Sequence, residues 1–329
     1  MNRFKMAMTS IRILFLTNFF VIVFLAVSCA GDPTSVRMAY LQNDIHHLAF
    51  WVAEEERIFA DEDVIIDTVG AFRAGPEIMS AFASGDLDMA YVGQSPATVG
   101  VANKAADVVV VAQVNTEGTA IVIKKKDGAN FESLQDLAGK TIAIPGHATV
   151  QEAILLKGLK KVGLSRKEVH LMVLKPPDMI DALRTGQIDA FIAWEPYPAK
   201  AITSGVGKVL ATSKKLWPEH PCCVLVVERS FMKAHPKIVE RTIQAHVKAT
   251  QYVRHHPDKS AQIAVKYTGM DELTIRKAMQ NVHFTTELNI EDAKEYVKFL
   301  SELGYIKKQD PEAFIRSFIR LDLLPSEIR

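Results

Sequence analysis

Glu77-Ile-Met-Ser-Ala-Phe-Ala-Ser-Gly-Asp-Leu-Asp-Met-Ala-Tyr-Val-Gly-Gln94 and Asp178-Met-Ile-Asp-Ala-Leu-Arg-Thr-Gly-Gln-Ile-Asp-Ala-Phe-Ile-Ala-Trp-Glu195 carry nearly the same message 101 positions apart. Ala81, Gly85 and Asp88 of the first copy match Ala182, Gly186 and Asp189 of the second. Each copy reads as a short helix, with Ile78 and Phe82 or Met179 and Leu183 on one face, then a glycine stop and a buried strand ending on a polar residue. A duplicated α/β unit predicts two similar lobes, and two lobes predict a cleft.

Outward from the repeat, strands alternate with helices. Apolar runs at Val36–Leu41, Val64–Val69, Val108–Val114, Thr119–Lys124, Lys140–Ile144, Val169–Leu174 and Cys222–Glu228 predict strands. Leu48–Phe59 and the stretch from Thr149 to Val162 predict helices, the latter opened by a Thr149/Glu152 capping box. From Pro236 to Arg320 the pattern is mainly helical. The charged run Lys124-Lys-Lys-Asp-Gly128 suggests the first crossing between lobes, which places 36–124 and 223–329 in lobe 1 and 125–222 in lobe 2. Alternation of this kind favours parallel sheets with right-handed crossovers, and such sheets bind ligands beyond the carboxyl ends of their strands. Those ends carry Gln94, Asn115-Thr116, His147 and Trp194-Glu195.

The net charge of +1, from 39 basic and 38 acidic residues, offers nothing to attract nucleic acid. At the N-terminus, Arg3, Lys5 and Arg12 precede an apolar run from Ile13 to Val27, the pattern of a secretory signal over residues 1–28. Ala26-Val-Ser-Cys29 resembles a bacterial lipobox, so Cys29 is the expected lipidation site and 29–35 a short tether at a membrane surface. Cys222 and Cys223 are neighbours whose side chains would point to opposite faces of a strand, and they read as free, half-buried thiols.

Gly93-Gln-Ser95-Pro-Ala97 sits near the pattern of a nucleophile elbow. Pro96, however, removes the backbone N–H that would stabilise an oxyanion. Ser95 reads better as an N-cap with Pro96 at the first helical position, a helix start suited to an anion or serving only as a cap. Thr149 offers a second helix start from the other lobe. His46-His47 lacks further ligands at metal spacing apart from distant His147, so no metal is expected; His47 either lines the pocket or caps the surface. Trp194 either walls the ligand or packs at the hinge, and Glu195 either accepts from it or pairs with a lysine.

Phe72-x-Ala-Gly-Pro76, Gly93-Gln-Ser-Pro96, Leu137-Ala-Gly-Lys-Thr-Ile-Ala143, Gly146-His-Ala-Thr149, Gly163-Leu164 and Trp194-Glu-Pro-Tyr197 occur in an order and spacing that resemble the binding proteins of nitrate, sulfonate, taurine and bicarbonate ABC importers. The aliphatic-sulfonate branch is the most similar. The resemblance implies an α/β type II periplasmic-binding-protein fold with a helical C-terminal tail, and a lipid-anchored, non-enzymatic receptor with no cofactor. It would pass a small solute to permease and ATPase subunits. It also implies pocket contacts from Gln94, Ser95, Asn115, Thr116, His147, Thr149 and Trp194. His147-Ala148 departs from the serines usual in sulfonate binders, and His46-His47 is reminiscent of thiamine-pyrimidine binders. A chorismate-dehydratase-like enzyme on the same fold is the alternative that the export signal argues against.

Overall fold

The computed structural model describes residues 35–125 and 131–326, which pack as one compact unit on two sheets. The signal segment, Cys29, the tether through Thr34 and Lys126–Gly128 of the charged run lie outside the described residues.

The strands are β1 (Val36–Leu41), β2 (Ile66–Phe72), β3 (Met89–Gly93), β4 (Val108–Glu117), β5 (Thr119–Lys124), β6 (Thr141–Ile144), β7 (His170–Val173), β8 (Ala190–Trp194), β9 (Gly207–Thr212), β10 (Pro221–Glu228) and β11 (Val282–Phe284). The helices that matter for the site are α1 (Leu48–Glu55), α2 (Ile58–Asp61), α3 (Gly75–Ala83), α4 (Gln94–Ala102), α5 (Val150–Lys161), α6 (Pro176–Thr185) and α7 (Tyr197–Thr203). The helix expected over 48–59 breaks after Glu55, where Arg57 adopts φ 60° and starts α2 afresh.

The six-stranded sheet runs β11-β4-β10-β3-β1-β2 and the five-stranded sheet β7-β6-β8-β5-β9. Apart from β11 the two orders are the same. In each, three parallel-type strands are followed by one antiparallel strand donated by the other half of the chain, then a fourth. The donated strand is β10 in the first sheet and β5 in the second, each antiparallel to both neighbours. The sheets are therefore mixed, not wholly parallel as the alternation suggested. The alternation counts helices between strands and is blind to a strand that crosses from the other sheet. The chain changes sheets at Gly118, so β5 already belongs to the second sheet, ahead of the charged run where the crossing was placed.

The sequence repeat is the third strand of each sheet. Met89 lies 101 positions before Ala190, and Gly93 the same distance before Trp194, with β3 and β8 buried throughout. The repeated aspartates do the same job. Asp88 donates its N–H to Arg37 O at 2.9 Å and accepts from Arg37 N at 2.8 Å. Asp189 repeats the pair on Thr141, at 2.9 and 2.8 Å. Each carboxylate thus locks the third strand to its parallel neighbour, β3 to β1 and β8 to β6. Gly85 and Gly186, at φ 77° and 78°, end the preceding helices in the left-handed region where a side chain would be strained.

β4, a run of valines buried on both faces, carries the core of the first lobe. The helical tail ties the lobes together. Tyr305 donates its hydroxyl to Glu152 on α5 at 2.5 Å, while its carbonyl accepts from Asn103 beside α4 at 2.9 Å. Tyr296 stacks on Trp217 at 4.3 Å, and Lys157 of α5 lies 3.8 Å over the same indole.

Candidate functional site

Between the carboxyl ends of the two sheets lies a small cavity of about 10 Å³, lined by Leu41, Asp44, Gly75, Gly93, Pro96, Thr149, Val150, Gln151, Trp194 and Cys223. That is room for about one water molecule. The lobes meet here in contact: a Cβ on Gly93 would lie 2.9 Å from Val150 Cγ2.

The start of α4 differs from the expected cap. Gly93, extended at φ −63° and ψ 143°, is the N-cap, and the helix begins at Gln94. Ser95 is one turn-position further in, and its Oγ donates across the cleft to Ala148 O at 2.8 Å. The hydroxyl joins the lobes instead of capping its own helix. Gln94 is fully buried; its Nε2 donates to Thr98 Oγ1 at 3.1 Å and its Oε1 has no partner among the described residues.

From the other lobe, Thr149 caps α5, with Oγ1 accepting from Glu152 N at 3.3 Å. Only half of the expected box forms. The Glu152 carboxylate reaches one residue further back to Ala148 N at 2.7 Å, and its other oxygen meets His147 Nδ1 at 2.8 Å. His147 is thereby held at the rim, half exposed, outside the cavity lining.

Trp194 ends β8 with its indole edge-to-face against Tyr197 at 6.2 Å, and its Nε1–H has no partner among the described residues. Glu195 is buried, but its carboxylate is turned away. Oε2 accepts from Ala199 N at 3.0 Å and Oε1 from Asn281 Nδ2 at 2.6 Å. Burial pushes this carboxyl up to about 7 against those two hydrogen bonds. Its two hydrogen-bond partners are thus the first turn of α7 and the Asn281 amide.

Asn115 and Thr116 are strand residues of β4, not a loop. The Asn115 amide donates to Thr116 O and Glu117 O at 3.3 and 3.1 Å, and Thr116 lines a separate cavity of about 440 Å³ with Gln113, Pro221 and His283. Of the nine expected contacts, the structure brings Thr149 and Trp194 to the small cavity, with Gln94 and Ser95 beside it.

Beneath the cavity lies a cluster that the sequence reading did not assemble. Asp44 caps the turn at Ile45–His47, accepting from His46 N at 3.0 Å. The expected opposite orientation of the two cysteines does not hold. Where β10 meets β4 the register shifts around Cys223, and both Sγ atoms face His46 Nδ1, Cys222 at 3.5 Å and Cys223 at 3.7 Å. Both thiols are fully buried, not half-buried. His47 instead uses Nδ1 to accept from Leu41 N at 3.1 Å.

The charges in this cluster are coupled. Burial opposes a charged His46, but the Asp44 carboxylate and Cys222 override it and lift the imidazole to about 9. Burial raises Asp44 to about 7 and, with the charge on His46, lowers His47 to about 3. Asp44 two residues before a histidine pair was the sequence signal available, and the bulge that turns Cys222 and Cys223 together left none.

Among relatives, the taurine-binding periplasmic protein of Escherichia coli is 31% identical over 63% of this chain and 63% of its own length. In fold, the alkanesulfonate-binding protein SsuA of Xanthomonas axonopodis pv. citri, solved bound to MOPS, superposes with a TM-score of 0.76 at 19% identity, over 88% of this chain and 99% of that one. The nitrate-binding protein NrtA of Synechocystis PCC 6803 gives 0.74 at 16% identity, over 88% and 87%. At such identities these two likenesses are of fold, the periplasmic-binding-protein fold, and all three named proteins are binders, not enzymes. The NMT1-like family profile matches residues 30–267, and this chain belongs to the NMT1-like family.

Proposed function

We propose that this chain is the extracytoplasmic substrate-binding subunit of an ABC importer, closing two lobes on a small polar or anionic solute of the sulfonate, taurine or nitrate class. The lobes are 36–117 with 221–326, and 119–212, following sheet membership. Export on the leader at 1–28 and lipid attachment at Cys29 would hold the receptor beside its permease and ATPase.

The observation that carries this reading is the pair of helix starts, α4 at Gln94 and α5 at Val150, brought from opposite lobes to one small cavity. Helix N-termini hold anions through free N–H groups and the positive end of the helix dipole. Trp194 Nε1 adds a buried donor and Gln94 Oε1 a buried acceptor, both without partners among the described residues. Such groups cost about 1–3 kcal/mol each when left unpaired, which a bound solute would recover. Glu195 faces Ala199 and Asn281, so it does not repel an anion in the cleft. A sulfonate needs more room than one water, so it enters by parting the lobes.

A thermal-shift panel of taurine, ethanesulfonate, nitrate and bicarbonate tests this. Solute at a hundred times its dissociation constant should stabilise the chain by about 2.7 kcal/mol. Trp194→Ala and Gln94→Ala should each diminish that shift. A solute shift that survives both substitutions would refute the cleft, and no shift with any member would refute the solute class.

A further inference from the structure

We propose that His46, Cys222 and Cys223 form a buried site for a thiophilic divalent cation of the zinc class, with the Asp44 carboxylate beside His46. The site does not rest on the solute reading above; it lies under the cleft and uses none of the α4 or α5 helix starts.

The separations are those that a shared ion imposes. With metal–sulfur bonds of about 2.3 Å, metal–nitrogen bonds of about 2.0 Å and a tetrahedral angle, the two ligand atoms stand roughly 3.5 Å apart. The observed Sγ to Nδ1 distances are 3.5 and 3.7 Å, and Asp44 Oδ1 is 3.5 Å from the same nitrogen. The three atoms of His46, Cys222 and Cys223 all fall within 4.8 Å of one another.

The tautomers select the ligand. His46 Nε2 lies 3.0 Å from Gly118 O, and a carbonyl can only accept, so Nε2 carries a proton. In the neutral ring the lone pair is then on Nδ1, aimed at the two sulfurs. A histidine donating its other N–H to a backbone carbonyl is the usual second contact of a metal-bound imidazole. His47 is wired the opposite way. Its Nδ1 accepts from Leu41 N, its proton is on Nε2, and it has no lone pair to offer.

Gly118 makes the His46 contact possible: it sits at φ 84°, and a Cβ there would lie 2.2 Å from Nε2. The bulge in β10 is the second device, since a regular strand would send one cysteine to the opposite face. Two thiolates and a neutral imidazole balance a divalent ion, and the Asp44 carboxylate adds one negative charge beside His46. Cys223 and Asp44 also line the cavity between the lobes, which supplies the entry path when they part.

The test uses the reduced full chain with Cys29→Ser, which removes the third cysteine of the sequence. After chelation, dialysis against Zn(II) should return one equivalent, and Co(II) should give a thiolate-to-cobalt charge-transfer band. Cys222→Ser and Cys223→Ser should each abolish that band and weaken Zn(II) binding by about a hundredfold or more, while His147→Gln leaves both unchanged. Should the serine variants misfold by circular dichroism, the Cys29→Ser chain still decides: Zn(II) must protect both thiols from a small alkylating reagent. Failure to retain Zn(II), retention undiminished in the folded serine variants, a Co(II) spectrum without the thiolate band, or thiols unprotected by Zn(II) would each overturn the site.

Discussion

Replacing Glu195 by glutamine should change the pH dependence of stability in a calculable direction. The carboxyl ionises near 4.5 in an unfolded chain and near 7 in the folded one, because burial outweighs the hydrogen bonds from Ala199 N and Asn281. Between those values the folded state holds a proton that the unfolded state has released. The contribution of Glu195 is therefore fully present below about 4.5 and is lost as pH rises through about 7. At about 1.4 kcal/mol per pH unit over that window, the native chain should lose about 3 kcal/mol relative to Glu195→Gln. Glutamine keeps one acceptor and one donor, so its fixed packing cost shifts the difference without tilting it. Asp44 and His46 titrate in both proteins and largely cancel. Urea denaturation of both chains at intervals from pH 4.5 to 8 reads the difference directly. A flat difference, or one that favours the native chain as pH rises, would refute burial as the dominant influence on Glu195.

The repeated aspartates predict matched losses. Asp189→Ala strands the Thr141 N–H and should cost about 1–3 kcal/mol in urea unfolding, and Asp88→Ala should cost more, because the Arg37 guanidinium loses its partner as well. Gly93→Ala should act partly on closure: the new methyl would lie 2.9 Å from Val150 Cγ2 of the opposite lobe when the lobes are together, and 3.2 and 3.3 Å from Pro96 of its own lobe in any state. If the Val150 contact adds an overpacking cost of about 1–3 kcal/mol to the closed form, solute binding by calorimetry should weaken roughly five- to 150-fold, and the Pro96 contact should lower the unliganded melting temperature by a smaller amount.

The two-sheet architecture was legible because the repeat carries its own mechanism. Gly85 and Gly186 need the left-handed region, and Asp88 and Asp189 need the N–H of a neighbouring strand, so the residue types survive at matching positions. Strand direction was not legible. β5 and β10 are apolar runs like their neighbours, and nothing in periodicity says that each joins the sheet of the other half, antiparallel. The point of crossing was hidden for a related reason: Gly118 changes sheets in one residue, without the polar linker that a charged run seemed to supply.

At the site, composition marks the helix starts but not which atoms serve them. A serine before a proline is the composition of an N-cap, yet Gly93 can be the cap with its backbone alone, freeing Ser95 to bridge to Ala148. The ordinary alternation of a strand puts Cys222 and Cys223 on opposite faces. The register shift at Cys223 defeats that rule, and only three-dimensional pairing with β4 reveals it. Asn115 and Thr116 followed a β-branched run and looked like its loop, but pairing with β11 from the distant tail extends the strand through them.

Closure of two lobes on a solute is most directly tested by small-angle X-ray scattering of the chain with and without a solute that stabilises it. Lobes that shut on the ligand predict a smaller radius of gyration on binding and a bound profile matching the closed arrangement described above. Identical profiles at saturating solute, or conversion of the solute into a product, would contradict it.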